Sequence, residues 1–282
     1  LVLALKREVP IGTVLVPNGA MQVRLLRPGR PLPGFLDAKT TSNDASMGEG
    51  TSGGFDLGGE GLGDLDPRFA PEDWETLPAG AKGRPALLTP PKGTRSRLIV
   101  FSGPGLSSLD FSFVLNRRYT DMTPKGRWLL SEGGMAKNGA WTVSRPASNP
   151  LSPGKPALAA LIWNQPTAVR GVTFTRPLPW ADWALDMYQG PDDQPITEAS
   201  LRDDQLWKQV FQHQQVRNHV KFSWHTDKVV TADFGSVREV RALRVRLNAQ
   251  PAGPGAPGDH SAKGGFEGFI TYGPAGNDVA LP

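Results

Sequence analysis

The chain has 282 residues, a length that favours two domains, with one large β domain as the alternative. It is 38% apolar and 21% charged, which is enough apolar content for a packed core and excludes a wholly disordered chain. The net charge of +4 is small for this length, so we expect no nucleic-acid partner. The absence of cysteine excludes disulfides and cysteine-ligated metal centres.

Turn-forming residues divide the chain into short segments, because it contains 33 glycines and 27 prolines. This composition argues against a helical bundle and favours strands joined by turns. Residues 10–16 and 21–26 predict two strands, and Asn18-Gly19 between them predicts a hairpin turn. Residues 38–65 are rich in Gly, Ser, Thr and acids, which is typical of a flexible insert or of an arm held by a partner.

Strand patterns continue to the end of the chain. Residues 157–163 are apolar on both faces and predict a central strand that Gln165-Pro166 ends, and residues 169–175 alternate as a second strand should. Helix-like content is confined to residues 197–205. Further strands are predicted at 95–101, 110–115, 128–130, 141–143, 183–188, 206–211, 219–224, 229–234, 240–247 and 265–272. So many short strands with so little helix predict an all-β fold, a jelly roll or β-sandwich.

One predicted strand is strongly basic. Arg238, Arg241, Arg244 and Arg246 alternate with apolar residues, which is typical of a strand with one solvated face. A stripe that binds phosphate is the alternative interpretation.

Residues 160–273 resemble the discoidin family, also called the coagulation-factor V/VIII C-type or galactose-binding-like domain. The resemblance rests on residues 161–166, the alternating strand 169–174, Trp207, the arginine-rich strand 241–247 and the closing strand 268–273. It departs from the family at Trp163-Asn164, where an Asp is usual, in its lack of a disulfide, and in the long stretch before Trp207.

The first 105 residues carry a degenerate form of the same pattern. Trp74 parallels Trp207, and the strand at 95–100 parallels the arginine-rich strand. We therefore expect two discoidin-like sandwiches. The first, residues 1–105, is incomplete and carries the Gly-rich insert 38–65, and the second spans residues 106–282.

No constellation for catalysis emerges from the sequence, so we expect a protein that is not an enzyme and has no catalytic residues. There is no G-x-S-x-G motif, the four histidines lack metal-ligand spacing, and no pair of carboxylates stands out. Asp192-Asp193, between two prolines, predicts a turn. The resemblance implies no cofactor but is compatible with a structural Ca²⁺. A calcium site that includes Asp192 and Asp193 is the alternative interpretation of this segment.

A β-sandwich that binds sugar uses exposed aromatic faces that stack on the sugar ring and polar side chains that form hydrogen bonds with its hydroxyl groups. The candidates in this chain are Trp180, Trp183, Trp224, His225 and Arg170.

The resemblance implies a non-catalytic binding module that recognises a glycan or a protein partner through loops of the sandwich. We expect an exported bacterial protein, located in the periplasm, at the cell surface or outside the cell, with no transmembrane segment. The alternative is a structural or scaffold subunit of a larger extracytoplasmic complex that docks through the 38–65 arm.

Overall fold

A computed structural model describes residues 2–31, 70–104, 113–136, 139–145, 154–175, 181–213, 229–249 and 262–276. The chain divides into two compact units, Leu1–Arg118 and Tyr119–Pro282. The first unit extends past the expected boundary at residue 105 because strand Phe113–Leu115 pairs with strand Thr13–Val16. Most of the described residues lie in strands, so the predicted all-β class is confirmed.

The first unit is a small antiparallel sandwich of two sheets. One sheet has the order β1-β6-β3-β4 and the other has the order β5-β2-β7. The strands are β1 Val2–Pro10, β2 Thr13–Val16, β3 Gln22–Leu26, β4 Trp74–Thr76, β5 Ala86–Leu88, β6 Arg95–Ser102 and β7 Phe113–Leu115. Both sheets contribute to one apolar core, which includes Val14, Val16, Val23, Leu25, Leu88, Ile99 and Phe101.

The predicted hairpin at Asn18-Gly19 is wrong, because β2 and β3 belong to different sheets. The turn crosses from one layer to the other and is held by a third segment. The Asn18 side chain accepts hydrogen bonds from the backbone N–H groups of Ala20 and Gly83, both at 3.0 Å. A Cβ on Gly19 would lie 2.6 Å from the Ala81 carbonyl oxygen, so this crossing requires glycine.

The described residues of the second unit form a nine-stranded antiparallel sheet that folds over on itself. The strand order is β10-β11-β16-β12-β15-β13-β14, with β8 paired to β16 and β9 paired to β12. The strands are β8 Tyr119–Asp121, β9 Arg127–Leu130, β10 Gly134–Met135, β11 Trp141–Arg145, β12 Ala157–Thr175, β13 Ala181–Tyr188, β14 Trp207–His213, β15 Val229–Ala249 and β16 Ala262–Pro274. Among the described residues, α-helix is confined to α1 Glu198–Arg202, within the predicted helical stretch.

Two long strands, β12 and β15, make the fold-over. The first half of β12 pairs with β9 and its second half pairs with β16, while β15 pairs with both halves. The pairing register shifts between Ile162 and Thr167, so Gln165-Pro166 bends the strand instead of ending it as predicted. Both halves pack on one core, which includes Leu161 and Trp163 from the first half and Val172 and Phe174 from the second. This arrangement is a sandwich whose layers share strands.

The outer face of the β13–β15 layer is covered by the segment that contains α1. Ile196 and Leu201 from this segment pack on Ala242 of β15 and on Tyr188 and Trp207. Trp207 is buried, and its indole N–H donates to the Ser200 carbonyl at 2.8 Å.

The prediction of a fully solvated arginine face on β15 is wrong for Arg244, which lies beneath this cover. Its guanidinium donates to Asp186 and Asp204 at 2.8 and 2.7 Å and to the Leu201 carbonyl at 2.8 Å. It also lies over the Trp207 ring, 4.8 Å from the centroid. Burial is possible because each of these groups satisfies the cation.

Within the described residues, no helix is long and apolar enough to cross a membrane.

Candidate functional site

Several strand ends of the second unit meet at one end of the sandwich. Thr175 at the end of β12 pairs with Val229 at the start of β15, and Trp183 near the start of β13 pairs with His213 at the end of β14. The rings of Phe174 and Trp183 are 5.2 Å apart, which brings these two groups of strand ends together across the core. We call this region the β12–β13 end.

Three of the five candidate ligand residues fall in segments that connect these strand ends. Trp180 lies in residues 176–180, between β12 and β13, and Trp224 and His225 lie in residues 214–228, between β14 and β15. All three lie outside the described residues, so their roles stay predictions. The strand ends that flank them are described, and those ends lie at the β12–β13 end.

Trp183, the fourth candidate, is a core residue. Only 1% of its surface is exposed, and its ring packs edge-on against Phe174 and flat against Phe211. The alternation of β13 places Trp183, Leu185 and Met187 on the core face, which is why this tryptophan points inward. In this structure it supports a neighbouring ring and does not offer its own face to a ligand.

That neighbouring ring belongs to Phe211, which the sequence analysis did not single out. Phe211 is 36% exposed on β14, the last strand of its layer. Its ring is nearly parallel to that of Trp183, with an interplanar angle of 9° and a centroid distance of 5.1 Å. One face of Phe211 is therefore held by a buried partner at the β12–β13 end.

A connected series of aromatic rings lies behind Phe211 in the core. Neighbouring centroids in the series lie 4.8 to 5.4 Å apart. Such contacts fix ring orientations, so the exposed phenylalanine stands on a rigid base. The rings are Trp183, Phe174, Phe269, Phe266, Trp128 and Trp141.

Arg170, the fifth candidate, is already engaged in an ion pair. Its Nε lies 3.0 Å from the Asp233 carboxylate, and its Nη1 donates to the Gly235 carbonyl. The Tyr272 hydroxyl donates to the same carboxylate at 3.3 Å. Burial, together with the charge of Asp233, raises the pKa of Tyr272 well above its usual range, so the hydroxyl stays protonated. The geometry makes Arg170 a link between β12 and β15.

The acids considered for calcium lie in a turn, as predicted. Asp192 and Asp193 are exposed, and the Gln194 N–H donates to the Pro191 carbonyl at 3.4 Å. The Pro191 carbonyl also accepts a hydrogen bond from Arg241 at 3.1 Å. In the part of the chain that the structure describes, no group of three or more His, Asp or Glu side chains could hold a metal ion.

No protein-family model and no curated protein matches this chain. The solved structures that it resembles include a carbohydrate-binding module, an F5/8 type C domain and a lectin. A family 32 carbohydrate-binding module of NanJ from Clostridium perfringens, in complex with galactose, is 12% identical over 55% of this chain and 98% of that one, with a TM-score of 0.35. An F5/8 type C domain from Bacteroides fragilis is 10% identical over 55% and 97%, with a TM-score of 0.32. The fucolectin from striped bass (Morone saxatilis) serum is 7% identical over 97% and 81%, with a TM-score of 0.33. Identities this low leave the function of this chain to be argued from its own residues.

Proposed function

We propose that the second unit is a non-catalytic glycan-binding module that takes an uncharged sugar at the β12–β13 end. The observation that carries the proposal is Phe211, which is 36% exposed and whose ring stacks on that of buried Trp183. The C–H groups on one face of a pyranose pack on such a ring, because its π face attracts weakly polarised hydrogens. A ring that is already held in place loses little conformational entropy when a ligand binds.

The two segments that connect the strand ends of the β12–β13 end contain residues suited to the rest of such a site. Trp224 and His225 are in the segment that follows β14, and Trp180 is in the segment that precedes β13. Indole rings provide further stacking faces, and imidazole donates and accepts hydrogen bonds to hydroxyl groups. We assign these three residues to the ligand site together with Phe211.

Arg170 and Trp183 take supporting roles in this proposal. Arg170 is bound to Asp233, and Trp183 forms the base on which Phe211 stands. Neither side chain needs to touch the sugar for the site to work.

The test is titration calorimetry of the full chain with galactose and lactose, the probes that the resemblance to galactose-binding-like domains suggests. We expect Phe211→Ala to weaken binding about fivefold, since an aromatic stack is worth about 1 kcal/mol. Trp224→Ala should weaken it as well.

The matched control is Val237→Ala. Val237 is a similarly exposed apolar residue, at 37%, and it lies between Asp233 and Arg238, where the pairing register of β15 with β12 shifts. Its truncation should leave affinity unchanged. Equal affinities for wild type, Phe211→Ala and Trp224→Ala would remove the proposed site.

A further inference from the structure

One sheet of the first unit, with the strand order β1-β6-β3-β4, is largely apolar on both sides. Along β3, Val23 and Leu25 point into the sandwich core, so Arg24 and Leu26 point to the opposite side. The pairing register places residues of all four strands on that opposite side. We call it the outer face, and it includes Val2, Ala4, Arg24, Leu26, Trp74, Leu98 and Val100.

The outer face is shut off from water. Leu26, Leu98 and Val100 are 1%, 2% and 1% exposed. Side chains on the open face of a sheet flank one another without covering one another, so they stay partly in contact with water. The described apolar side chains that pack on Leu26 and Leu98 come from β1 and β4 and lie on the same face. A further layer of protein must therefore lie above these strands.

The chain enters residues 32–69 from the end of this sheet. β3 ends at Leu26, and in the turn that follows the Gly29 N–H donates to the Glu8 side chain of β1 at 2.8 Å. Because β6 lies between β3 and β1, this contact directs the chain across the sheet and not away from it. Residue 32 therefore begins within reach of the outer face.

Residues 32–37 have the composition and the length that such a layer needs. Three of these six residues are large and apolar, Leu32, Phe35 and Leu36, whereas residues 38–65 contain five large apolar residues among 28. Six extended residues reach about 20 Å. Four strands spaced about 4.8 Å apart span about 14 Å, so this short segment is long enough to cross the sheet.

We propose that residues 32–37 dock on the outer face and form a third layer of the first unit, with Phe35 and Leu36 against Leu98 and Val100. The Gly-rich insert 38–65 then starts from a fixed point on the sandwich. This inference goes beyond the proposed function, since it concerns an interaction surface of the first unit and does not depend on sugar binding.

The test is thiol labelling of the full chain. The chain contains no cysteine, so a single introduced cysteine reports on its own position. Val100→Cys places a thiol on the outer face, and Leu3→Cys, at a residue of β1 that is 37% exposed, is the reference for an accessible thiol. Reaction with iodoacetamide is followed by intact mass. We expect Val100→Cys to react at least about tenfold more slowly than Leu3→Cys.

Substitutions in the Val100→Cys background then identify the cover. Phe35→Ser/Leu36→Ser should accelerate labelling at least about tenfold, because polar side chains no longer hold the segment on an apolar face. Leu57→Ser/Leu62→Ser is the matched control, since it makes the same kind of change within residues 38–65. This control and a deletion of residues 38–65 should each leave the rate within about twofold.

Two further measurements separate loss of the cover from unfolding. Val23→Cys places a thiol in the core of the first unit, and its labelling should stay slow when Phe35→Ser/Leu36→Ser is added. A short bis-maleimide needs no disruptive substitution. It should join Leu98→Cys to Leu36→Cys in one double variant and fail to join Leu98→Cys to Leu57→Cys in another.

Three results would each overturn the proposal. They are faster labelling of Val100→Cys after deletion of residues 38–65, equal labelling rates in the two double-serine variants, and equal cross-linking at residues 36 and 57. Protection of Val100→Cys that increases with protein concentration would overturn it too, because the cover would then be a second copy of this chain.

Discussion

Replacing Asp186 with Asn should strongly destabilise the second unit. Asp186 is 1% exposed and accepts hydrogen bonds from two guanidinium groups, those of Arg244 at 2.8 Å and Arg246 at 2.8 and 3.0 Å. The amide keeps the shape of the carboxylate but removes its charge, so buried Arg244 loses its enclosed counter-charge. Breaking a buried ion pair from one side costs about 3–5 kcal/mol.

A second acid on the same arginine provides the control. Asp204 contacts Arg244 at 2.7 Å, but its side chain is 76% exposed. Water replaces an exposed carboxylate at little cost, so Asp204→Asn should lower stability by less than about 1 kcal/mol.

The assay is urea unfolding of wild type and both variants, followed by tryptophan fluorescence at constant pH. We expect a much lower midpoint for Asp186→Asn with an unchanged slope, and a midpoint near that of wild type for Asp204→Asn. If Asp186→Asn stays within about 1 kcal/mol of wild type, Asp186 does not hold Arg244 in place and the reasoning is refuted.

Three further predictions concern backbone packing, titration and the insert. Gly171→Ala should lower the melting temperature, because the new Cβ would lie 2.6 Å from the Ala232 carbonyl oxygen. Gly134→Ala is the control and should leave the melting temperature unchanged, because a Cβ there meets nothing within 4 Å. Equal effects of the two substitutions would contradict this prediction. Burial raises the pKa of Asp121, so its ionised form opposes folding. The free-energy cost of burying the ionised carboxylate is absent below the pKa of Asp121 in the unfolded chain and complete above its raised pKa in the folded protein. The stability of Asp121→Asn relative to wild type should therefore rise with pH. A difference in unfolding free energy between the two proteins that stays constant from about pH 3 to 8, measured by urea unfolding, would contradict this prediction. Deleting residues 38–65 should shift the melting temperature by no more than about 5 °C, because the segment is poor in apolar residues. A much larger fall in the melting temperature, measured by calorimetry, would show that the segment is part of the core.

Local patterns predicted the strands better than their partners. The alternation at residues 169–175 and the helical stretch before Trp207 both correspond to observed elements. The Asn-Gly signal gave the wrong pairing because it reports only a tight turn, while packing against residues 80–84 decides which sheet each flanking strand joins. Likewise, Gln165-Pro166 predicts the end of a strand. The strand continues through these residues with a bend, because β12 pairs with strands of both layers.

Charge patterns were ambiguous for a related reason. Alternating arginines look the same in sequence whether water or a buried acid faces them. Arg244 is enclosed because Asp186, 58 residues earlier in the chain, lies beside it on the neighbouring strand. Phe211 escaped notice because an apolar residue in a strand predicts a core position, and its place at the sheet edge appears only in the fold.

The most direct test of the central claim is a glycan array probed in parallel with the full chain and with Phe211→Ala. We predict that wild type binds at least one class of uncharged glycan and that Phe211→Ala loses this signal while its melting curve stays cooperative. A wild-type chain that binds no uncharged glycan, or a variant that binds the same glycans equally well, would contradict the claim.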